Sequence, residues 1–240
     1  MNATTGAIWH DVECGSYEAD LALWEELAER RDGPVLELGC GTGRVALHLA
    51  RRGHEVIGLD RDPELLSALE SRGTQLPVRG LEADARAFDL AGPVSLVLAP
   101  THLLQLLADS DERAKSLRCI AASLRTGGLL AAAIIEAMPE ADGAPPPLPD
   151  VREVDGWVYS SQAVEAAVGP GEIVVRRLRQ AVSPDGSLTE ESNEVRIVTF
   201  SADAFEAEAE VFGLVPAGRR AIPETDLHVG SLVVLLEKGS

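Results

Sequence analysis

Three glycines at alternate positions, Gly39, Gly41 and Gly43, close a short apolar run (Pro34-Val-Leu-Glu-Leu38) and open a helical pattern from about 43 to 52. A strand that turns straight into a helix through such a loop lets the backbone pass close under a ligand. The helix start behind it offers free N–H groups and a partial positive charge. Dinucleotide folds space these glycines as G-x-G-x-x-G, whereas this loop is G-x-G-x-G and is preceded by an acid, Glu37. A carboxylate there repels a pyrophosphate and suits a ligand that carries an ammonium group. Seventeen residues past Gly43, Asp60 ends the next apolar run, His54-Glu-Val-Ile-Gly-Leu59. A carboxylate at that place can accept from both hydroxyls of a ribose. A third acid, Asp84 in Glu82-Ala-Asp-Ala-Arg86, is placed to meet an adenine amino group.

Around these residues the chain alternates strand-like and helix-like segments, which predicts a parallel sheet covered by helices. Ser16 is expected to cap a helix from about 17 to 31. Asp62-Pro63-Glu64 reads as a helix start, with an N-cap acid, proline at the first helical position and an acid in the first turn. Further strands are expected near Val78–Leu81 and at Val94–Leu98. A helical pattern over 102–125 is interrupted near Asp109–Asp111, and the almost wholly apolar Leu129–Ile135 belongs in the sheet centre. The count is five strand–helix repeats in about 136 residues.

Ala144-Pro-Pro-Pro-Leu-Pro149 then acts as a stiff connector. Antiparallel strands are predicted over 157–168, 172–182 and 194–200, with turns at Gly169-Pro-Gly171 and Ser183-Pro-Asp-Gly186. Ser201 starts a last helix, and strands follow at 214–222 and 230–237. The divisions expected are 1–33 (first helix and a segment over the cofactor), 34–136 (α/β core), 137–200 (antiparallel insertion) and 201–240 (elements completing the core).

The chain has 240 residues, with 21 basic against 39 acidic side chains, a net charge of −18. That surface repels phosphate backbones and argues against non-specific nucleic-acid binding. No apolar run reaches the ~20 residues that span a bilayer. The opening residues show neither a basic n-region nor an apolar h-region. Cys14, Cys40 and Cys119 suit neither a disulfide framework nor a zinc site. A cytoplasmic location is expected, as a monomer or homodimer, with no metal.

Glu37-Leu-Gly-Cys-Gly-Thr-Gly43, Asp60, Ala83-Asp84-Ala85, Leu98-Ala-Pro-Thr101 and Leu124-Arg-Thr-Gly-Gly-Leu129 together resemble the class I S-adenosylmethionine-dependent methyltransferases. The resemblance implies a seven-stranded Rossmann-like sheet with helices on both faces and an antiparallel last strand. It implies a cofactor site of Tyr17, Glu37, Gly39, Cys40, Gly41, Gly43, Asp60, Arg61, Asp84, Ala85 and Ala99. In that family the glycine loop holds the methionine part, the acid at Asp60 the ribose and the acid at Asp84 the adenine. Residues 137–213 resemble, more loosely, the antiparallel insertion of small-molecule members such as sugar N-methyltransferases and glycine N-methyltransferase-like enzymes. The expected activity is methyl transfer to the N, O or C atom of a small molecule. The alternatives are a cofactor-binding regulatory or scaffold protein without turnover, or a protein methyltransferase.

His102, after the fourth strand, falls where the family places residues near the transferred methyl group; it can orient or deprotonate an acceptor, or only pack. Glu136, just past the fifth strand, is a second catalytic candidate, and His228 a third. His48 and His54 read as structural, and Cys40 as a small filler. Trp9, His10 and Tyr17 either fold over the cofactor or anchor the first helix. In the former case, removing residues 1–15 sacrifices few core positions. Trp157 and Tyr159 share a strand face and either line the acceptor pocket or pack the insertion. Arg176, Arg177 and Arg179 are expected to form a solvated strand face.

Overall fold

The computed structural model describes residues 5–138, 147–225 and 228–239. Its main sheet contains β1 (Val35–Leu38), β2 (Val56–Asp60), β3 (Val78–Glu82), β4 (Val94–Ala99), β5 (Leu124–Ile134), β10 (Leu214–Ile222) and β11 (Ser231–Lys238). The order is β3-β2-β1-β4-β5-β11-β10. Strands β1 to β5 pair in parallel, and β11 runs antiparallel to both its neighbours. The order reverses between β1 and β4, and open α/β sheets bind ligands in the crevice at such a switch point.

Two apolar layers cover this sheet. On one face α2 (Leu21–Glu29), α3 (Arg44–Ala50) and α4 (Pro63–Arg72) pack on Val35, Val56, Leu96, Leu98, Ala131 and Val233. On the other, α5 (Ser110–Ser123) and α6 (Ala202–Glu210) pack on Leu36, Leu38, Ile57, Val97, Leu130 and Val234. The alternation of strand side chains between the two layers is what a twofold pleat requires. Helices therefore lie on both faces. The start signals of α4 and α6 work as their sequences predict: Asp62 accepts from the amide of Glu64 at 2.9 Å and Ser201 from that of Ala204 at 3.1 Å.

A second sheet, β6 (Asp150–Val154), β7 (Trp157–Gly169), β8 (Glu172–Val182) and β9 (Leu188–Val198), is antiparallel throughout. Here the structure departs from the sequence reading in two places. β6 was not expected, and β9 starts six residues before 194, because Leu188–Asn193 is an exposed, polar part of a strand with no apolar alternation to mark it. In the Pro-rich connector, residues 144–146 lie outside the described residues.

Three further expectations are corrected. β3 is followed by a turn-and-bend segment, not a helix, so the third strand–helix repeat is missing. Ser16 caps nothing in α2, which begins at Leu21 with Asp20 in the N-cap position. The N-terminal segment is itself a helix, α1 (Thr5–Cys14), and it buries Ala7, Ile8, Trp9 and Val12. Ile8, Trp9 and Val12 form a small core with Ala181, Val154 and Tyr159 of the second sheet. Losing residues 1–15 would therefore remove real packing.

Candidate active site

The glycine loop joins β1 to α3. Gly39, Gly41 and Gly43 all have left-handed backbones, with φ of 63°, 55° and 95°. At Gly41 a Cβ would run into the imidazole of His10, and at Gly43 into Leu69. Any side chain at either position needs both an unfavourable backbone and displaced neighbours. The loop is fastened from both sides. Asp60, at the end of β2, accepts from the amide of Gly41 (2.9 Å) through Oδ2 and from that of Asp62 (3.0 Å) through Oδ1. Each carboxylate oxygen keeps a second lone pair for an incoming hydroxyl. The Thr42 hydroxyl donates to Asp11 Oδ1 on α1 at 2.7 Å and lies 3.2 Å from His10 Nδ1. Asp11 is buried and also accepts two hydrogen bonds from Arg72, at 2.9 and 2.5 Å. These bonds hold its carboxyl below the usual carboxylate range against the opposing effect of burial.

Glu37 lies on β1 between Gly58 of β2 and Leu98 of β4. It is 3% exposed, and its Oε2 is buried with no hydrogen-bond partner. Burial pushes its carboxyl up to about 8, with Arg44 and the Ala46 amide pulling the other way. A buried, unsatisfied carboxyl beside a glycine loop lacks a cation. Arg44 does not fill that role. It donates to Asp20 at 2.5 and 2.7 Å and to the Tyr17 carbonyl at 2.9 Å, and stacks over the Tyr17 ring. Tyr17 is buried, with its ring 4.6 Å from that of His228.

Asp84 accepts from Arg86 through its backbone amide, Nε and guanidinium, and Arg86 also pairs with Glu112. These bonds, outweighing a small burial effect, hold the Asp84 carboxyl down at about 2. Ala99 is buried at the end of β4, Ala85 half-buried and Arg61 exposed. Cys40 is buried, and the loss of solvent drives its thiol far above the usual range, which leaves it inert as a nucleophile.

After β4 the chain turns through Thr101 and His102, two consecutive non-glycine residues with positive φ (49° and 62°). Such backbone strain is kept where a side chain must be aimed. The turn is anchored by buried Gln105. Its side-chain amide donates to the carbonyls of Ile135 and Val198 at 2.9 Å each and accepts from the Ile135 amide at 2.7 Å. His102 Nε2 lies 2.9 Å from Ser231 Oγ, and burial pushes the imidazole down to about 4. Glu136 does something else: its carboxylate accepts from the Ala202 amide at 2.7 Å, at the start of α6.

Between this turn, α1, the second sheet and the β10–β11 connection lies a cleft of about 660 Å³. Tyr17, His102 and His228 line it, and Glu136 does not. Tyr159 is turned away, edge-on to Trp9 at 5.2 Å, with Trp157 stacked at 6.3 Å, so this pair packs the insertion. Arg177 and Arg179 are not solvated. Arg177 pairs with Asp150 and Arg179 with Glu13 of α1, and only Arg176, on the other strand face, is exposed. Neither Glu13 nor Asp11 carries a signal in the sequence, since both look like surface acids of a short helix.

Sheet order, glycine loop and strand-end acids are those that the resemblance to class I S-adenosylmethionine-dependent methyltransferases implies for the fold. Residues 35–128 match the family described as a methyltransferase domain. In particular, the cypemycin N-terminal methyltransferase of a Streptomyces species is 32% identical over 111 residues, 46% of this chain and 45% of that one. The putative methyltransferase YqeM of Bacillus subtilis is 29% identical over 111 residues, 45% and 44% of the two chains. The chain thus spans about half the length of the curated relatives it matches. Among solved structures, the sugar N-methyltransferase KedS8 of Streptoalloteichus superposes with a TM-score of 0.75 at 21% identity, over 100% of this chain and 94% of that one. CalS10, an amino pentose methyltransferase from Micromonospora echinaspora solved with S-adenosylmethionine, gives 0.71 at 18% identity over 99% of both. At these identities the likeness is one of fold.

Proposed function

We propose that this protein transfers a methyl group from S-adenosylmethionine to a small molecule held in the 660 Å³ cleft. The unpartnered, buried Oε2 of Glu37 carries the reading, because the cofactor's ammonium group is the cation it lacks. Asp60 would accept from the ribose hydroxyls, Asp84 and its neighbour Ala85 would border the adenine, and Tyr17 would cover the methionine end. The bound cofactor supplies an activated methyl on a sulfonium. What the protein adds is alignment and the exclusion of water. His102, aimed by a strained turn and fixed by Ser231, would orient the acceptor at the cofactor end of the cleft. The solved neighbours whose names state a sugar, a glycopeptide or 1,6-didemethyltoxoflavin support a small-molecule acceptor.

Calorimetry tests the reading. S-adenosylhomocysteine should bind in the micromolar range, and NAD should not bind in that range. Asp60→Ala, which removes a charged acceptor, should weaken S-adenosylhomocysteine about tenfold or more. NAD binding tighter than S-adenosylhomocysteine, or an unchanged affinity in folded Asp60→Ala, overturns the assignment. Because burial keeps His102 at about 4, well under its ordinary 6.5, it is neutral throughout the neutral range. The pH profile of methyl transfer should therefore show no inflection near 6.5 that disappears in His102→Gln, while kcat falls in that variant. A wild-type inflection there, lost in the variant, would make His102 a titrating base instead.

A further inference from the structure

Consecutive residues of a helix point about 100° apart, so α1 can face two neighbours at once. Trp9 packs edge-on to Tyr159 of the second sheet, whereas His10 crosses to the glycine loop. There its imidazole, Nε2 foremost, fills the space that a side chain on Gly41 would take. The Gly41 amide is the one that donates to Asp60, so a single loop residue separates Nε2 from that carboxylate.

The neighbours of the ring decide where its proton sits. The Thr42 hydroxyl has one proton and gives it to Asp11 Oδ1 at 2.7 Å. Asp11 has none to return, because the bonds from Arg72 and Thr42 hold it as a carboxylate. In the 3.2 Å contact between His10 Nδ1 and Thr42 Oγ1, Nδ1 is therefore the donor. Burial opposes a second proton on the ring and outweighs the attraction of Asp11 and Asp60, so the imidazole is neutral at neutral pH. A neutral imidazole protonated on Nδ1 carries a bare lone pair on Nε2. Among the described residues no donor meets that lone pair, and the ring is only half-buried.

We propose that His10 Nε2 accepts the hydrogen bond of one ribose hydroxyl of the cofactor, while Asp60 accepts that of the other. The proposal rests on the methyl-transfer reading and adds a residue to its cofactor site. A lone pair on a neutral ring suits this place, because it accepts a hydrogen bond without adding a charge beside Asp60 and Asp11.

The test uses the full chain. In proton–nitrogen correlation spectra of the histidines, the His10 signals are the ones absent from His10→Gln. Ligand-free His10 should be protonated on Nδ1 alone at neutral pH. Saturation with S-adenosylhomocysteine should move the Nε2 signal toward the protonated range, as accepting a hydrogen bond requires. His10→Phe keeps a flat ring without a lone pair and should weaken S-adenosylhomocysteine about three- to tenfold, the loss of one neutral hydrogen bond. Methylthioadenosine, which has the ribose but no amino-acid end, should weaken by the same factor. His10→Gln, whose amide oxygen can stand where Nε2 stands, should keep both affinities within about twofold. The wild-type spectra decide the matter where His10→Phe does not fold. His10 protonated on Nε2, an Nε2 signal unmoved at saturation, wild-type affinities in His10→Phe, or a loss confined to S-adenosylhomocysteine overturns the proposal alone. A chain that binds neither ligand overturns the methyl-transfer reading together with it.

Discussion

Binding of S-adenosylhomocysteine at pH 7 should release close to one proton from this protein, and Glu37→Gln should abolish the release. The buried carboxyl of Glu37, pushed up to about 8, is mostly protonated at pH 7 before the ligand arrives. An ammonium group set against it reverses the balance, since a close opposite charge favours the carboxylate. The proton leaves, and calorimetry in two buffers of different ionisation enthalpy counts it. Ionising the group at pH 7 costs about 1.4 kcal/mol, one pH unit below its raised value, less than the roughly 1.5–3 kcal/mol of a charged hydrogen bond. Net of that cost the carboxylate contributes at most about 1.6 kcal/mol, so Glu37→Gln should weaken binding by up to roughly fifteenfold. The sign for folding is opposite. A carboxyl raised from 4.5 contributes its full stability below 4.5 and loses it as pH rises through about 8. Ligand-free Glu37→Gln should accordingly melt at or above the wild type at pH 8. Binding without proton release would mean that the ammonium does not meet Glu37.

What the sequence displays and what it hides divide along the range of the interactions. The glycine loop and the caps at Asp62 and Ser201 are local devices, each complete within a few residues. The core strands are apolar runs because a parallel sheet covered on both faces requires them. The parts that were not legible are made by distant pairs. Asp11 and Glu13 look like surface acids on a short helix. Only folding brings Asp11 against Thr42, Arg72 and Arg152, and Glu13 against Ser161 and Arg179. The arginines of β8 looked solvated for the same reason, since their partners lie 27 and 166 residues away. Asp84 was expected to meet an adenine amino group, and the structure also pairs its carboxylate with Arg86 two residues on. α1 escaped notice because its apolar side is short, Ala7, Ile8, Trp9 and Val12, and its partner surface is the second sheet.

Asp20→Ala should be among the most destabilising single substitutions in this chain, at about 3–5 kcal/mol, the range for removing one partner of a buried ion pair. Asp20 is 1% exposed, and its carboxylate accepts from Arg44 at 2.5 and 2.7 Å and from the Trp24 indole at 2.7 Å. Trp24 is fully buried under α2, so its N–H has no water to turn to. Removing the carboxylate leaves a guanidinium enclosed with only the Tyr17 carbonyl and ring for company, plus an unpaired indole donor. At about 2–4 °C per kcal/mol for a domain of this size, Tm should fall by roughly 10 °C. The double variant Asp20→Ala, Arg44→Leu removes both charges and should lose less than the sum of the two single changes, because no unpaired ion remains. Breaking the exposed pair of Arg196 with Glu172 by Glu172→Ala should cost below about 1 kcal/mol and serves as the control. Chemical denaturation of the four variants measures all of this. A loss within about 1 kcal/mol for Asp20→Ala would show that Arg44 finds another carboxylate. One candidate is Glu37, whose pKa Arg44 already lowers, and proton release on ligand binding would then shrink in the same variant.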